Sequence, residues 1–268
     1  PFVFAGVFAW MRNAEDGRRF AARAMLALPA VNTLREYALA ARFSRLLGVL
    51  LGGGAPLLVA LDDTIESIGD PVAQDEVVRI CALARERGIA TFLDGARLWN
   101  ASSASGRPEA ELAQPFDLVA VSFSKGLGAP GGSLLAGSRE LIAAATRQRR
   151  MLGGAMRQTG FFAAAALYGV ERHRERLADD HDHARLLAEA IARHHFVRID
   201  LATVQTNIVV FRLHPDTVDA ATVVRRARER GVLVNAFDER TVRAVTHLDV
   251  SRAQVERAAD VLVAAIAG

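Results

Sequence analysis

Residues 117–133 read DLVAVSFSKGLGAPGGS: an apolar run, a short polar turn around a lysine, then a string of small residues. The run has the length and β-branched content of a buried strand. The small residues after it let backbone approach a bulky ligand. Lys125 is the only lysine in the chain; of the 33 Lys and Arg residues, all others are arginine. An amine can shed its proton and attack a carbonyl, which a guanidinium cannot do. Lys125 is therefore a candidate for amine chemistry, the alternative being a chance survivor of an arginine-rich composition.

Upstream, IATFLDGA (89–96) reads as a second strand and PLLVAL (56–61) as a third. Between them, DPVAQDEVVRICALARERG reads as a helix, with Asp70 as cap, Pro71 at its first position and Gly88 as its stop. Short apolar strands alternating with amphipathic helices are the pattern of a parallel sheet with crossover helices. Asp94 and Lys125 then fall at the carboxyl ends of two strands, where open α/β sheets bind their ligands. In an enzyme that uses pyridoxal phosphate, an acidic side chain must keep the pyridine nitrogen protonated, and Asp94 is placed for that. The competing reading makes Asp94 a cap on the following turn and Arg97 its surface partner.

Downstream, GGSLLAGS (131–138) is a further strand, and a helical region runs from about Arg139 to His195 with an interruption at 151–160. From Val197 onward the pattern predicts a strand TNIVVFRL (206–213), a helix around 219–230, strands GVLVNAF (231–237) and VRAVTHLD (242–249), and a terminal helix. The domain reading is an atypical helical segment over 1–54, a cofactor-binding large-domain portion with connecting helices over 55–195, and a small α+β domain over 196–268.

Composition narrows the classes. Hydrophobic content of 51% and charged content of 24% over 268 residues describe a globular chain. A formal charge of +3 without a basic run argues against nucleic acid. A single cysteine, Cys81, forms no intramolecular disulfide and suits a reducing compartment; its apolar helical setting predicts a buried thiol. No apolar run reaches the roughly 18 residues of a membrane span, and PFVFAGVFAW (1–10) lacks the basic region of a signal peptide. Pro1 in place of Met points to a processed or partial sequence. DDHDH (179–183) and HH (194–195) hold metal-capable side chains without zinc-like spacing, so a solvated helix face is expected there and no metal site.

Four segments together carry a resemblance: FLDGARLWNAS (92–102), VSFSKGLGAPGGSLLAGSRELI (121–142), RRMLGGAMRQTGFFAAAALYGVE (149–171) and VRAVTHLDVS (242–251). In order and spacing the chain from about residue 56 onward resembles the low-specificity L-threonine aldolases, fold-type I pyridoxal-phosphate enzymes of the β-eliminating-lyase branch. The resemblance implies an α/β fold with a mainly parallel sheet, crossover helices and a smaller C-terminal α+β domain. It implies that Lys125 carries pyridoxal 5'-phosphate through its amine and that Asp94 pairs with the pyridinium nitrogen. Arg97 would lie near the cofactor and the substrate carboxylate, Arg157 would bind an anion, and Arg243 would clamp the carboxylate. The implied activity is cleavage of L-threonine, L-allo-threonine or a related β-hydroxy-α-amino acid to glycine and an aldehyde, by a cytoplasmic homo-dimer or homo-tetramer. Two alternatives stand beside it: a relative that keeps the fold without turnover, and an enzyme that uses the same cofactor for β-elimination or racemisation.

The likeness has gaps. Residues 1–54 contribute nothing to it, and the Ser/Gly/Thr loop that cradles the cofactor phosphate in the family has only the weak counterpart LGGGAP (51–56). The family's ENTH reads DDTI, placing Ile65 at a polar position, and its histidine before LDGAR is Phe92. Ser122 and Ser124 can contact cofactor oxygens, and His247 reads as a packed or hydrogen-bonded histidine.

Overall fold

The computed structural model describes residues 71–268. The expected strand at 56–61, the segment 1–54, the cap at Asp70, LGGGAP and Ile65 lie outside the described residues. Helix α1 spans Pro71–Glu86 and ends two residues before Gly88, matching the helix read from the sequence. Cys81, on α1, is buried as expected. Helix α1 belongs to one compact unit that ends at Glu86, and every later element to a second unit, Arg87–Gly268.

The second unit opens with a β-α-β crossover. Strand β1 (Phe92–Gly95) pairs in parallel with β2 (Leu118–Ser122), and α2 (Leu98–Ser105) and α3 (Glu109–Ala113) lie in the connection. The two strands are tied together where they begin. Thr91 donates through its backbone N–H (2.7 Å) and its hydroxyl (2.8 Å) to the Asp117 carboxylate, and the Asp117 N–H donates to the Thr91 hydroxyl at 3.1 Å. Strand β3 (Ser133–Gly137) returns antiparallel to β2, so the sheet order is β1-β2-β3 and the sheet is mixed among the described residues. The connection 123–132 explains the direction: a parallel return needs roughly a dozen residues or more, usually a helix, whereas an antiparallel one closes through a loop.

Helices α4 (Arg139–Met151), α5 (Gly160–Arg172) and α6 (Leu177–Ala192) follow. Ser138 caps α4 by accepting from the Leu141 N–H at 3.3 Å. The expected break at 151–160 is present. A second break, at 173–176, has no mark in the periodicity; there the His173 ring turns to the Leu127 carbonyl and Leu177 is fully buried, so tertiary contacts end one helix and start the next.

The second sheet has the antiparallel order β4-β5-β7-β6, with β4 Val197–Arg198, β5 Ile208–Leu213, β6 Asn235–Ala236 and β7 Thr241–Val245. Alternation along β5 and β7 sends Val209, Phe211, Leu213, Val242 and Ala244 into one core, as period-two patterning requires. Helices α6, α7 (Ala220–Glu229) and α8 (Arg252–Ala267) close that core with residues such as Ile191, Val223 and Leu262. Asp219 caps α7, accepting from the Thr222 N–H at 2.7 Å, and Ser251 and Gln254 form a reciprocal capping box on α8. Of the strand expected over 231–237 only Asn235–Ala236 pairs with β7, the strand expected over 242–249 occupies Thr241–Val245, and β4 and a short 3-10 turn, Leu201–Thr203, were not anticipated.

The DDHDH stretch needs correction. It is not a solvated face: Asp180 is fully buried and ion-paired with Arg176 at 2.6 Å, while Asp179 and Asp182 face outward. Among the described residues no helix is long and apolar enough to cross a membrane.

Candidate active site

Because β1 and β2 run parallel, their carboxyl ends open on the same edge of the sheet. Asp94 pairs in register with Ala120, and Lys125 follows β2 by three residues. Asp94 is half-buried, and its carboxylate has no hydrogen-bond or ion-pair partner among the described residues. The capping alternative is not what the structure shows, since the residue preceding α2 is Arg97 and no side chain caps that helix. Phe92 and Asp94 project to the same face of β1. An apolar ring therefore shares the face of the carboxylate.

The lysine loop is held through its backbone. The Lys125 carbonyl accepts from the Gly128 N–H at 3.0 Å, and the Ala129 N–H donates to the Phe123 carbonyl at 2.9 Å. Side chains from four other segments hold the same loop. The His247 Nε2 lies 3.2 Å from the Lys125 carbonyl; a carbonyl only accepts, so that nitrogen carries the proton. By the same reasoning His173 Nδ1–H donates to the Leu127 carbonyl at 2.8 Å. Trp99 Nε1 donates to the Ser122 carbonyl at 3.2 Å. Gly126 packs so closely that a Cβ there would sit 2.6 Å from Leu177 Cδ2 and 3.0 Å from Asn100 Oδ1. Gly128 has a φ of +68° and its absent side chain would overlap Leu248. Two of the small residues are thus required here, one for close approach and one for backbone conformation as well. Ser122 and Ser124 hydroxyls are 3.2 Å apart beside the lysine.

Arg97 joins this edge to the second sheet. Its Nε donates to Asn207 Oδ1 at 3.2 Å, and Asn207 is buried, donating from Nδ2 to the Thr246 carbonyl at 2.8 Å. Thr246 in turn donates its backbone N–H to the Asn207 carbonyl at 3.0 Å and its hydroxyl to the Asp180 carbonyl at 2.5 Å. His247, the next residue, reaches Lys125. A polar path therefore runs from Arg97 through Asn207 and Thr246 to the histidine under the lysine.

The remaining arginines are less engaged. Arg243 is half-buried on β7, facing away from Val242 and Ala244, with its guanidinium carbon 5.5 Å from the Phe237 ring centre. Arg157 is exposed in the loop between α4 and α5 and makes no bond among the described residues. No direct contact joins either to Lys125 among the described residues.

Residues 54–214 match the family model described as β-eliminating lyase. The chain belongs to the β-eliminating lyase family. The matched span contains Asp94, Arg97, Lys125 and Arg157, and Arg243 lies beyond it. The chain is 42% identical over 175 residues to a low-specificity L-threonine aldolase of Escherichia coli O157:H7, covering 65% of this chain and 50% of the relative. It is 34% identical over 200 residues to low-specificity L-threonine aldolase 1 of Arabidopsis thaliana, covering 74% of this chain and 56% of the relative. The chain thus spans about half the length of the curated relatives it matches. Among solved structures, a Listeria monocytogenes protein assigned provisionally as an L-allo-threonine aldolase superposes with a TM-score of 0.60 at 22% identity, covering 72% of this chain and 55% of that one. Leishmania major threonine aldolase superposes with a TM-score of 0.53 at 18% identity, covering 71% and 56%. These likenesses establish the fold, which is the fold-type I class expected from the sequence.

Several polar residues that support this site carry no signature in the sequence pattern: Asn100, His173, Asn207 and Thr246. Each is polar, so pattern alone assigns it to the surface. Asn100 Nδ2 lies 3.1 Å from His181 Nε2. An amide nitrogen only donates, so this bond needs an unprotonated Nε2. Burial pushes the His181 pKa below its ordinary value, against the raising influence of Asp180 and Asp182, consistent with a neutral ring. The TN before β5 and the TH after β7 are the one available signal: polar pairs flanking apolar strands, where chains leave a sheet.

Proposed function

We propose that this chain carries the lysine-bearing site of a pyridoxal-phosphate lyase that splits β-hydroxy-α-amino acids of the threonine type into glycine and an aldehyde. The observation that carries the reading is Asp94 and Lys125 at the carboxyl ends of two paired parallel strands, the lysine loop being pinned by His247. The donor set fits pyridoxal phosphate. An amine would hold the aldehyde carbon, a carboxylate with no bond among the described residues would face the ring nitrogen, and the Ser122 and Ser124 hydroxyls would meet its oxygens. When bound, this group supplies the electron sink that stabilises negative charge at the substrate Cα.

The chain's own residues then have the following parts. Asp94 would hold a proton on the ring nitrogen. Arg243 and Arg157 bind the substrate carboxylate as planar forks, and Arg97, fixed by Asn207, orients the same end of the site. The Cα–Cβ bond of the substrate breaks as its β-hydroxyl gives up a proton, and Cα takes one up to become glycine. The reading includes a small domain over 196–268 and a larger portion over 55–195. It also includes a cytoplasmic homo-dimer or homo-tetramer, supported by the single buried cysteine and by the family likeness.

Adding pyridoxal phosphate at substoichiometric level, reducing with borohydride and mapping the adduct by peptide mass spectrometry tests the site. The expected product is modified Lys125, lost in Lys125→Ala. A folded chain that takes up no cofactor would refute the reading.

A further inference from the structure

The second sheet carries a basic groove that the lyase site does not use. Arg198 on β4 and Arg212 on β5 are register partners, so their side chains stand directly opposite one another. Both are exposed, alternating with the buried Val197, Phe211 and Leu213, and so point away from the core. Like charges opposed across an antiparallel pair destabilise it. Neither arginine has a carboxylate partner among the described residues. Arg240 adds a third guanidinium: its Nη1 donates to the Thr217 carbonyl at 2.9 Å and the His214 carbonyl at 3.3 Å, and its Nη2 lies 3.7 Å from Glu239. With Leu213 and Pro215 these arginines line a cavity of about 270 Å³.

We propose that this groove binds a phosphoryl dianion, either inorganic phosphate or the phosphate of a small phosphomonoester. Two guanidinium forks without counter-ions among the described residues match a dianion in charge, whereas one carboxylate would leave a positive charge unbalanced. Their donors suit the oxygens of a phosphoryl group. Arg240, already fixed by two carbonyls, contributes a positive wall that needs no rearrangement. The opposition that weakens the bare β4–β5 pair becomes an attraction shared through the anion between them. The groove contains no lysine, and Arg243, which registers with Val210 two residues along β5 from Arg212, is not among the residues that line it. It is a binding site in its own right and does not depend on the lyase reading.

Equilibrium dialysis of the full chain with labelled inorganic phosphate, in about 0.15 M chloride to screen loose attraction, tests the proposal. The chain is loaded with pyridoxal phosphate beforehand and the excess is removed, so that the lyase site is filled while no free phosphomonoester competes at the groove. One saturable phosphate per chain is expected. Arg198→Gln and Arg212→Gln should each weaken it about tenfold or more, as loss of a charge-assisted bond pair does. The same variants should melt no lower than the parent, because like-charge opposition is relieved; this separates lost binding from lost folding. Glycerol phosphate competing more tightly than phosphate would identify a phosphomonoester as the ligand, and weaker competition free phosphate. Unchanged phosphate binding in the Arg198→Gln/Arg212→Gln double variant would overturn the proposal. So would an equal loss in Arg185→Gln/Arg193→Gln, two exposed arginines on and just after α6.

Discussion

Replacing His247 by alanine removes one hydrogen bond from the lysine loop and leaves the strands that flank it untouched. The bond lost is His247 Nε2–H to the Lys125 carbonyl, 3.2 Å and partly buried. The carbonyl keeps a second donor, the Gly128 N–H at 3.0 Å, so it is not orphaned and the larger penalty for an unsatisfied buried group does not apply. The expected loss is therefore the net value of a single bond, about 1 kcal/mol. That is about a fivefold rise in the opening equilibrium of residues 125–129. Hydrogen exchange reads it directly, because the Gly128 and Ala129 amides are bonded within that loop, to the Lys125 and Phe123 carbonyls. Both should exchange about fivefold faster in His247→Ala, and His247→Gln, which retains a donor, should restore protection. The global denaturation midpoint should move little by comparison if the loop opens locally. Unchanged exchange at Gly128 and Ala129 would refute the claim that β7's end positions the lysine.

Three further outcomes follow from the packing. His181 is held below its ordinary pKa of 6.5 by burial, so the unfolded chain binds its proton more readily than the folded one. Its contribution is complete above about pH 6.5 and declines as pH falls through the lower folded value; urea midpoints should show that slope, and His181→Phe should flatten it. Arg176→Ala leaves the fully buried Asp180 carboxylate without its partner, a loss expected near 3 kcal/mol because Arg176 itself is partly exposed; a drop below about 1 kcal/mol by denaturant titration would count against a buried ion pair. Gly126→Ala forces a methyl against Leu177 and Asn100, costing about 1–3 kcal/mol and lowering cofactor uptake at Lys125, measured by thermal melting and borohydride trapping.

Much of the described architecture was legible because local pattern and global role agree. The apolar runs around Leu93 and Val119, the small-residue loop after Ser122 and the periodic helices appear where the sequence puts them. The failures share one cause. β4 is two residues long and exists because β5 offers it hydrogen bonds; Val232 to Val234 look like strand, but only Asn235 and Ala236 find partners on β7. Asp180 looked solvated since acidic residues on a helix usually are, and Arg176 together with the chain around Thr246 bury it.

The available chemistry can be read from residue order alone: one amine and one carboxylate, each at the end of an apolar run whose length and composition make it a strand. Residue type and local periodicity are properties of neighbouring residues, and they need no fold to be read. What holds that chemistry in place is fixed by contacts between segments far apart in the chain. His247 reaches Lys125 across 122 positions, and His173 reaches Leu127 across 46. A polar side chain carries no local mark of its distant partner, because burial and hydrogen-bond geometry come into being when the sheets and helices close on one another.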